Sequence, residues 1–493
     1  MQKKYFALIL AIIMLISCFT GCANNNDDAV VTTQTTTAKE KDNSSFKLSF
    51  TQADSLDPFK ATTQNNQVLA SLVFESLFDL DENYEPIANI ATGYAFIDSK
   101  TLKVDINQQI RFSDGSELDL EDVIFSINAA KKSAAYGSSL DSIGNVEADG
   151  NSVIIKLNYA NPNAVNLLTF PITSIKDDED GFPVGNGRYK YQNNNGKITL
   201  VVNGEDFDPY INTITLVNIA SSDSIDNAVN IGNISYAFRD MSVDASKRMS
   251  CSKKAVDMNN LVYIGVNSKY GITSSNQIRQ AISLAVNRNT LVESAYSGYA
   301  QPALSVFNPN FKMTENISIF SESEDLSAAR QAINQSGYES DKLTLSILVD
   351  KNENKNAAAN LIKTQLESVG FSVNVESVNY KEYARRIGKA EFDLYIGEVK
   401  LASDMCLYPF LDSKGGVSYG IDHKKLNCDN LYIRYLNGSV ELEKFILSFY
   451  NEMPYIPLLY KKGMICYSKA MNGDMQGYYN NFFSNIDSWN FNS

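Results

Sequence analysis

Between Asp325 and Val399 the apolar residues keep switching period, and this rhythm narrows the fold more than any other feature of the chain. Asp325 can cap a helix running to Ser336, and Gly337 ends it. Leu343–Val349 reads as a strand. Asn356–Val369 is helical, with Ile362, Leu366 and Val369 on one face and Gly370 after it. Phe371–Val378 alternates as a strand, Tyr380–Lys389 is helical, and Phe392–Val399 is a near-continuous apolar strand. Helices alternating with buried strands predict an α/β layer architecture. At 493 residues the chain is also too long for one core, so two or three domains are expected.

The N-terminal half is less regular. Phe46–Phe50, Thr101–Ile106, Val153–Leu157, Lys197–Val202 and Thr213–Val217 read as strands. Val68–Leu77 reads as a helix with Leu69, Leu72, Val73 and Leu77 on one face. Glu117–Lys131 reads as another, with Val123, Ile124 and Ile127 inward. Gly185-Asn186-Gly187 precedes a strand-like Arg188-Tyr-Lys-Tyr rather than a helix. That order argues against a dinucleotide fingerprint and for a tight turn with positive φ.

Several function classes are disfavoured. A formal charge of −14 with no Lys/Arg-rich run is a poor match to nucleic acid. His423 is the one histidine, which removes His-based triads and His-rich metal sites. There is no phosphate loop and no Gly-x-Ser-x-Gly elbow. Asp177-Asp178-Glu179-Asp180 reads as a solvated loop. Neither a metal nor a cofactor is expected. The 27 Tyr and 25 Phe suit a cleft for polar organic ligands, though most rings belong to the core.

The first residues read as an export signal. Lys3 and Lys4 precede an apolar run, Tyr5–Ile16, too short to span a bilayer comfortably. Phe19-Thr-Gly-Cys22 then gives way to polar sequence, resembling a bacterial lipobox with Cys22 as the lipidated residue. Leu15-Ile-Ser-Cys18 is the rival, and a plain secreted protein the alternative. On this reading residues 1–21 are a lipoprotein signal peptide. Residues 22–45 are a disordered Asn/Thr/Asp-rich tether, with an end-to-end distance of about 25 Å. Four cysteines remain, Cys251, Cys406, Cys428 and Cys466. Cys406 and Cys428 are the closest pair in sequence for a disulfide, with unpaired thiols the alternative.

A family resemblance runs from about residue 46 to the C-terminus. Ser55-Leu-Asp-Pro-Phe59 is similar to the opening motif of the family 5 extracellular solute-binding proteins, the oligopeptide/dipeptide-binding components of ABC importers. Leu69–Leu80 resembles that family's first-lobe helix. Ile110–Ser126 is close to its F-S-D-G-x-P-L-T-A-E-D-V-x-F-S block, and Pro183–Lys190 looks like its P-x-G-T-G-P-Y turn. Val262–Asn267 with Ile278–Arg288, Phe392–Leu394 and Pro454–Tyr460 match later landmarks in the right order.

The resemblance implies a type II periplasmic-binding-protein (Venus-flytrap) fold. The first lobe would span 46–265, with a small extra domain at about 81–183. The second lobe would span 266–453, and 454–493 would return to the first. The hinge would lie near Val262–Asn267 and Pro454–Tyr460. The implied ligand-binding residues are Asp404, for a peptide ammonium, then Tyr408 and Tyr419, with Phe59 and Gln301 as weaker candidates. The family often carries an Asp-Pro-Asp-Asn-like stretch where this chain has Lys400–Pro409, so Asp404 is its nearest match. Nickel-type members need Arg and His groups, and a lone His423 disfavours that ligand.

The implied protein is a non-enzymatic monomer on the cell-surface or periplasmic side of the membrane. It would capture peptides for an ABC permease and ATPase, and hold to the membrane through its lipid. A peptide-sensing receptor or chaperone of the same fold is the alternative. A secreted hydrolase is remote, for want of a nucleophile–base set. The Cys22→Ala variant is expected to appear in the medium or remain unprocessed. Lipid still found on that variant would move the site to Cys18.

Overall fold

The computed structural model describes residues 46–205, 207–240, 250–478 and 481–491. The leader, Cys18, Cys22 and the tether lie outside the described residues. The architecture is built on two long antiparallel strands, Ser252–Val266 and Tyr455–Tyr467, paired from Ser252↔Tyr467 to Gly265↔Tyr455. They sit mid-way in an 11-stranded mixed sheet. On one side follow Tyr236–Asp240, Lys47–Phe50, Thr213–Asn218, Lys197–Val202 and Tyr189–Asn194. On the other follow Leu394–Lys400, Thr344–Asp350 and Ser372–Val378.

The two wings have separate apolar cores. Leu48, Leu72, Tyr236, Ile465 and Trp489 belong to one, and Ile264, Ile347, Ile362, Phe410 and Phe445 to the other. A third core lies off the main sheet. There Ala91–Asp98, Thr101–Ile106, Ser152–Leu157 and Ile143–Asp149 form a four-stranded antiparallel sheet. The helix Leu120–Lys132 covers it through Val123, Ile127 and Ala130. Asp119 starts that helix, accepting from the Glu121 and Asp122 amides while Asp122 reciprocates.

The α/β rhythm of the C-terminal wing is present. The helices Leu326–Ser336, Glu353–Glu367 and Tyr380–Gly388 alternate with its strands. Asp325 caps the first through the Ala328 amide, and Gly337 ends it at φ 74°.

Several local expectations need correction: the helix expected over Glu117–Lys131 spans Leu120–Lys132, and that over Asn356–Val369 spans Glu353–Glu367. The helix expected over Val68–Leu77 spans Gln64–Val73. Its polar first turn carries no apolar signal, and Phe74 leaves it in extended conformation. The cause lies far away in sequence, because the Gly187 amide donates to the Val73 carbonyl at 2.9 Å. The same contact corrects the glycines. Neither Gly185 nor Gly187 has positive φ. They are required because a Cβ on either would overlap the Val73 backbone.

Between Asp257↔Lys462 and Leu261↔Tyr460 the register shifts, so Met258, Asn259 and Asn260 stand opposite Lys461 alone. Such an insertion bends a strand and raises its twist. Beyond it, Tyr263 lies opposite Gly397 and Gly265 opposite Tyr395. Each buried ring fills the space above a glycine, and the two hydroxyls are 3.1 Å apart. An added methyl at Gly265 would fall inside the Tyr395 ring. Gly265→Ala is therefore expected to cost about 1–3 kcal/mol of stability in denaturant unfolding, and Gly397→Ala a similar amount. Wild-type midpoints for both would contradict this packing.

Candidate ligand-binding cleft

The Gly185-Asn186-Gly187 turn that ends the helix Gln64–Val73 also builds the cleft. Docking on Val73 brings the Asn186 carboxamide to the Glu75 amide, at 3.4 Å, and delivers the next residue, Arg188, to the same place. Arg188 is anchored from behind, its Nη1 donating to the carbonyls of Phe483 at 2.8 Å and Ser484 at 3.2 Å.

Around this point lies a cavity of about 590 Å³. One wall is the helix end with Val68, Phe74 and Glu75. A second comes from the four-stranded sheet's surroundings, with Tyr136, Leu140 and Phe170. The floor includes Asp257 and Met258 of the shifted register and Phe482 of the tail. Lys400 and Ser403 reach in from the C-terminal wing.

The lining carries both signs of charge. Burial raises the Glu75 carboxyl above its usual range, offset by the 2.6 Å bond from Asn89 Nδ2 and by the Arg188 charge. Burial also raises Asp79, offset by the Ser76 hydroxyl at 3.1 Å and again by Arg188. Asp257 pairs with Lys462 at 3.0 Å and accepts from Asn310. Three carboxylates, Glu75, Asp79 and Asp257, thus share one partly dry space with the Arg188 guanidinium, the Lys400 ammonium and five aromatic rings. Such a surface suits an organic ligand bearing an amine and an acid.

The five residues expected at the ligand lie outside this lining. Asp404 does emerge after the strand Leu394–Lys400, but it is buried against the neighbouring small sheet. Asn161 Nδ2 donates to its Oδ2 at 2.7 Å, and the Cys406 amide to its Oδ1 at 3.0 Å. Tyr408 packs against Tyr159 with ring centres 4.4 Å apart, and Tyr419 lies beside Tyr395. Phe59 stands behind Tyr136, and Gln301 Nε2 donates to Asn308 Oδ1 at 3.4 Å.

These placements form a buried polar seam. Ser403 Oγ donates to the Asn166 carbonyl at 2.6 Å, and Asn166 Nδ2 to the Tyr84 carbonyl at 2.8 Å. The Tyr84 hydroxyl donates to Asn259 Oδ1 at 2.6 Å, and Asn308 Nδ2 reaches the same oxygen at 2.8 Å and the Met258 carbonyl at 3.1 Å. The loop bearing Ser403 and the shifted register are thereby held by one network.

The model of the bacterial extracellular solute-binding proteins, family 5 (middle), matches residues 85–414. The chain belongs to this family. Its members are the extracytoplasmic solute-binding components of ABC importers, whose partners are a ligand and a permease–ATPase complex. Among the relatives of this family 5 protein is the glutathione-binding protein GsiB of Salmonella paratyphi A. It is 22% identical over 460 residues, covering 85% of this chain and 89% of GsiB. Two solved structures share the fold. The ABC transporter substrate-binding protein CtaP of Listeria monocytogenes has a TM-score of 0.71 at 18% identity, over 92% of this chain and all of CtaP. The oligopeptide-binding protein AppA of Bacillus subtilis, in complex with a nonapeptide, has a TM-score of 0.59 at 19% identity, over 92% of this chain and all of AppA. The type II fold, two lobes with a small extra domain on the first, accounts for the three largest apolar cores of this family 5 protein.

Sequence reasoning missed Glu75, Asp79 and Arg188. A signal for the last was present, because the turn it resembles, P-x-G-T-G-P-Y, has Pro where this chain has Arg188.

Burial pushes the Asp404 carboxyl up to about 6, with the Cys406 amide and Asn161 opposing. The folded state holds this proton more tightly than the unfolded chain. Its stabilising contribution is complete below about pH 4 and lost as pH rises through 6. Wild type is expected to lose up to about 2–3 kcal/mol more stability than Asp404→Asn between pH 4 and 7 in urea unfolding. Parallel profiles for the two proteins would contradict the buried carboxyl.

Proposed function

We propose that this chain is a lipid-anchored receptor that captures short peptides outside the cytoplasm and presents them to an ABC permease and ATPase. The observation that carries the peptide reading is the cavity of about 590 Å³ with Glu75 and Asp79 beside Arg188. A zwitterion satisfies both signs, its ammonium toward the carboxylates and its carboxylate toward Arg188 and Lys400. A peptide with free termini is the simplest such ligand, and the nonapeptide in AppA and the glutathione of GsiB's name are of that chemistry.

In this reading the first lobe is 46–265 with 454–493, its small domain is about 81–183, and the second lobe is 266–453. The register shift at Met258–Asn260 serves as the flexing point between them, and a ligand touching both lobes shifts the balance toward closure. Asp404 and Tyr408 serve the ligand by fixing the loop that carries Ser403. Phe59 supports Tyr136, Gln301 supports Asn308, and Tyr419 belongs to the second lobe's rim.

Mass spectrometry of ligand released from purified protein tests the class directly, and calorimetry tests the contacts. Glu75→Gln with Asp79→Asn is expected to weaken the released peptide at least tenfold, about 1.4 kcal/mol. The same variant should change little for the N-acetylated form of that peptide. A sugar or metal chelate as the released ligand, or unchanged affinity, would overturn the reading.

A further inference from the structure

The four thiols are not bonded to one another, and two of them have dedicated neighbours. Cys406 Sγ lies 3.7 Å from the Tyr159 hydroxyl, and Cys428 sits over Glu452, its amide 3.0 Å from Oε2. The pair closest in sequence is therefore engaged elsewhere on both sides.

The other two thiols face each other. Cys251 immediately precedes the strand Ser252–Val266, and Cys466 is the penultimate residue of Tyr455–Tyr467. The register pairs Ser252 with Tyr467 and Lys253 with Cys466, which sets Cys251 diagonally across from Cys466 on the same face. Both pack into one small apolar cluster with Met464 and Ala237. Cys466 is buried, whereas Cys251 is half-buried and reachable from solvent.

We infer that Cys251 and Cys466 form a disulfide in the exported protein. The chemistry is asymmetric in a useful way. A hydrogen bond from the Cys466 thiol, helped by the Lys253 charge, pulls the Cys251 thiol down, while Cys466 is pushed up. Cys251 is thus the attacking thiolate. With a small-molecule disulfide as oxidant, Cys251 Sγ attacks one of its sulfurs. That S–S bond breaks, one thiolate leaves, and a mixed disulfide remains. Cys466 then gives its proton to solvent, attacks Cys251 Sγ and expels the second thiolate. Two protein thiols are oxidised and one external disulfide is reduced to two thiols. Compartments outside the cytoplasm supply such oxidants.

The position gives the bond its consequence. The two long strands carry the chain out to the C-terminal wing and back, so everything between 251 and 466 would become one covalently closed loop. The strands would be fastened at their outer ends, away from the shift at Met258–Asn260, leaving bending there free.

The test uses the full-length protein, incubated with cystamine, alkylated without reduction and digested for peptide mass mapping. The expected product is one peptide pair joined through Cys251 and Cys466, lost on reduction and absent from C251S. The bonded form should also unfold at a higher temperature than the reduced form. Should C466S fail to fold, C251S carries the comparison, since its site is half-exposed. Alkylation of both residues after cystamine treatment, or a Cys406–Cys428 linkage in their place, would overturn the inference.

Discussion

The cores of both wings lean on the pairing of Ser252–Val266 with Tyr455–Tyr467. These strands are buried over most of their length, and each must satisfy its backbone groups from both sides. Their neighbours are Tyr236–Asp240 at one end and Leu394–Lys400 at the other. The two wings are therefore one hydrogen-bonded sheet with two separate hydrophobic interiors. The ladder that joins them is interrupted twice, between Asp257 and Leu261 and between Val262 and Tyr263. A hinge located by missing ladder bonds bends more cheaply than one cut through intact pairing.

The polar seam around Asn259, Tyr84, Asn166 and Asp404 determines how that break is held. Pairing side chains buried this deeply avoids a cost on the order of 1–3 kcal/mol per orphaned polar group, and the bulge bears that cost where Asn259 Nδ2 and Asn260 Oδ1 find no partner among the described residues. Asn308 and Tyr84 converge on one Asn259 oxygen, so the bulge has a fixed shape despite its missing ladder bonds. Through Asn166 and Ser403 the same network reaches the cavity wall. The cavity wall and the interrupted ladder are thereby joined by contiguous hydrogen bonds rather than by proximity alone.

What could be read from the sequence follows from which forces are local. Asp325 and Gly337 are a cap and a stop, and the helix between them has the expected ends. The next helix starts at Glu353 rather than Asn356, because Asn352 caps it through the Lys355 amide and its first turn is polar. The long strands were hidden, since a strand buried on both faces loses its alternation. The cleft was harder still. Glu75, Arg188, Lys400 and Phe482 meet only after folding, and the Asn161–Asp404 bond joins residues that no spacing rule connects. The thiols teach the same lesson, because proximity along the chain selected one pair and the sheet register selects another.

Tyr263-Ile264-Gly265 and Tyr395-Ile396-Gly397 are the same word, read in opposite directions across one ladder. Slide either strand by two residues and every face stays correct, so hydrophobic patterning alone cannot object. Yet one slip sets tyrosine against tyrosine, and the other sets glycine against glycine over an empty gap. The repeated tripeptide works as a checksum. Two segments more than a hundred residues apart carry matching halves of it, and only one alignment between them closes without collision or void.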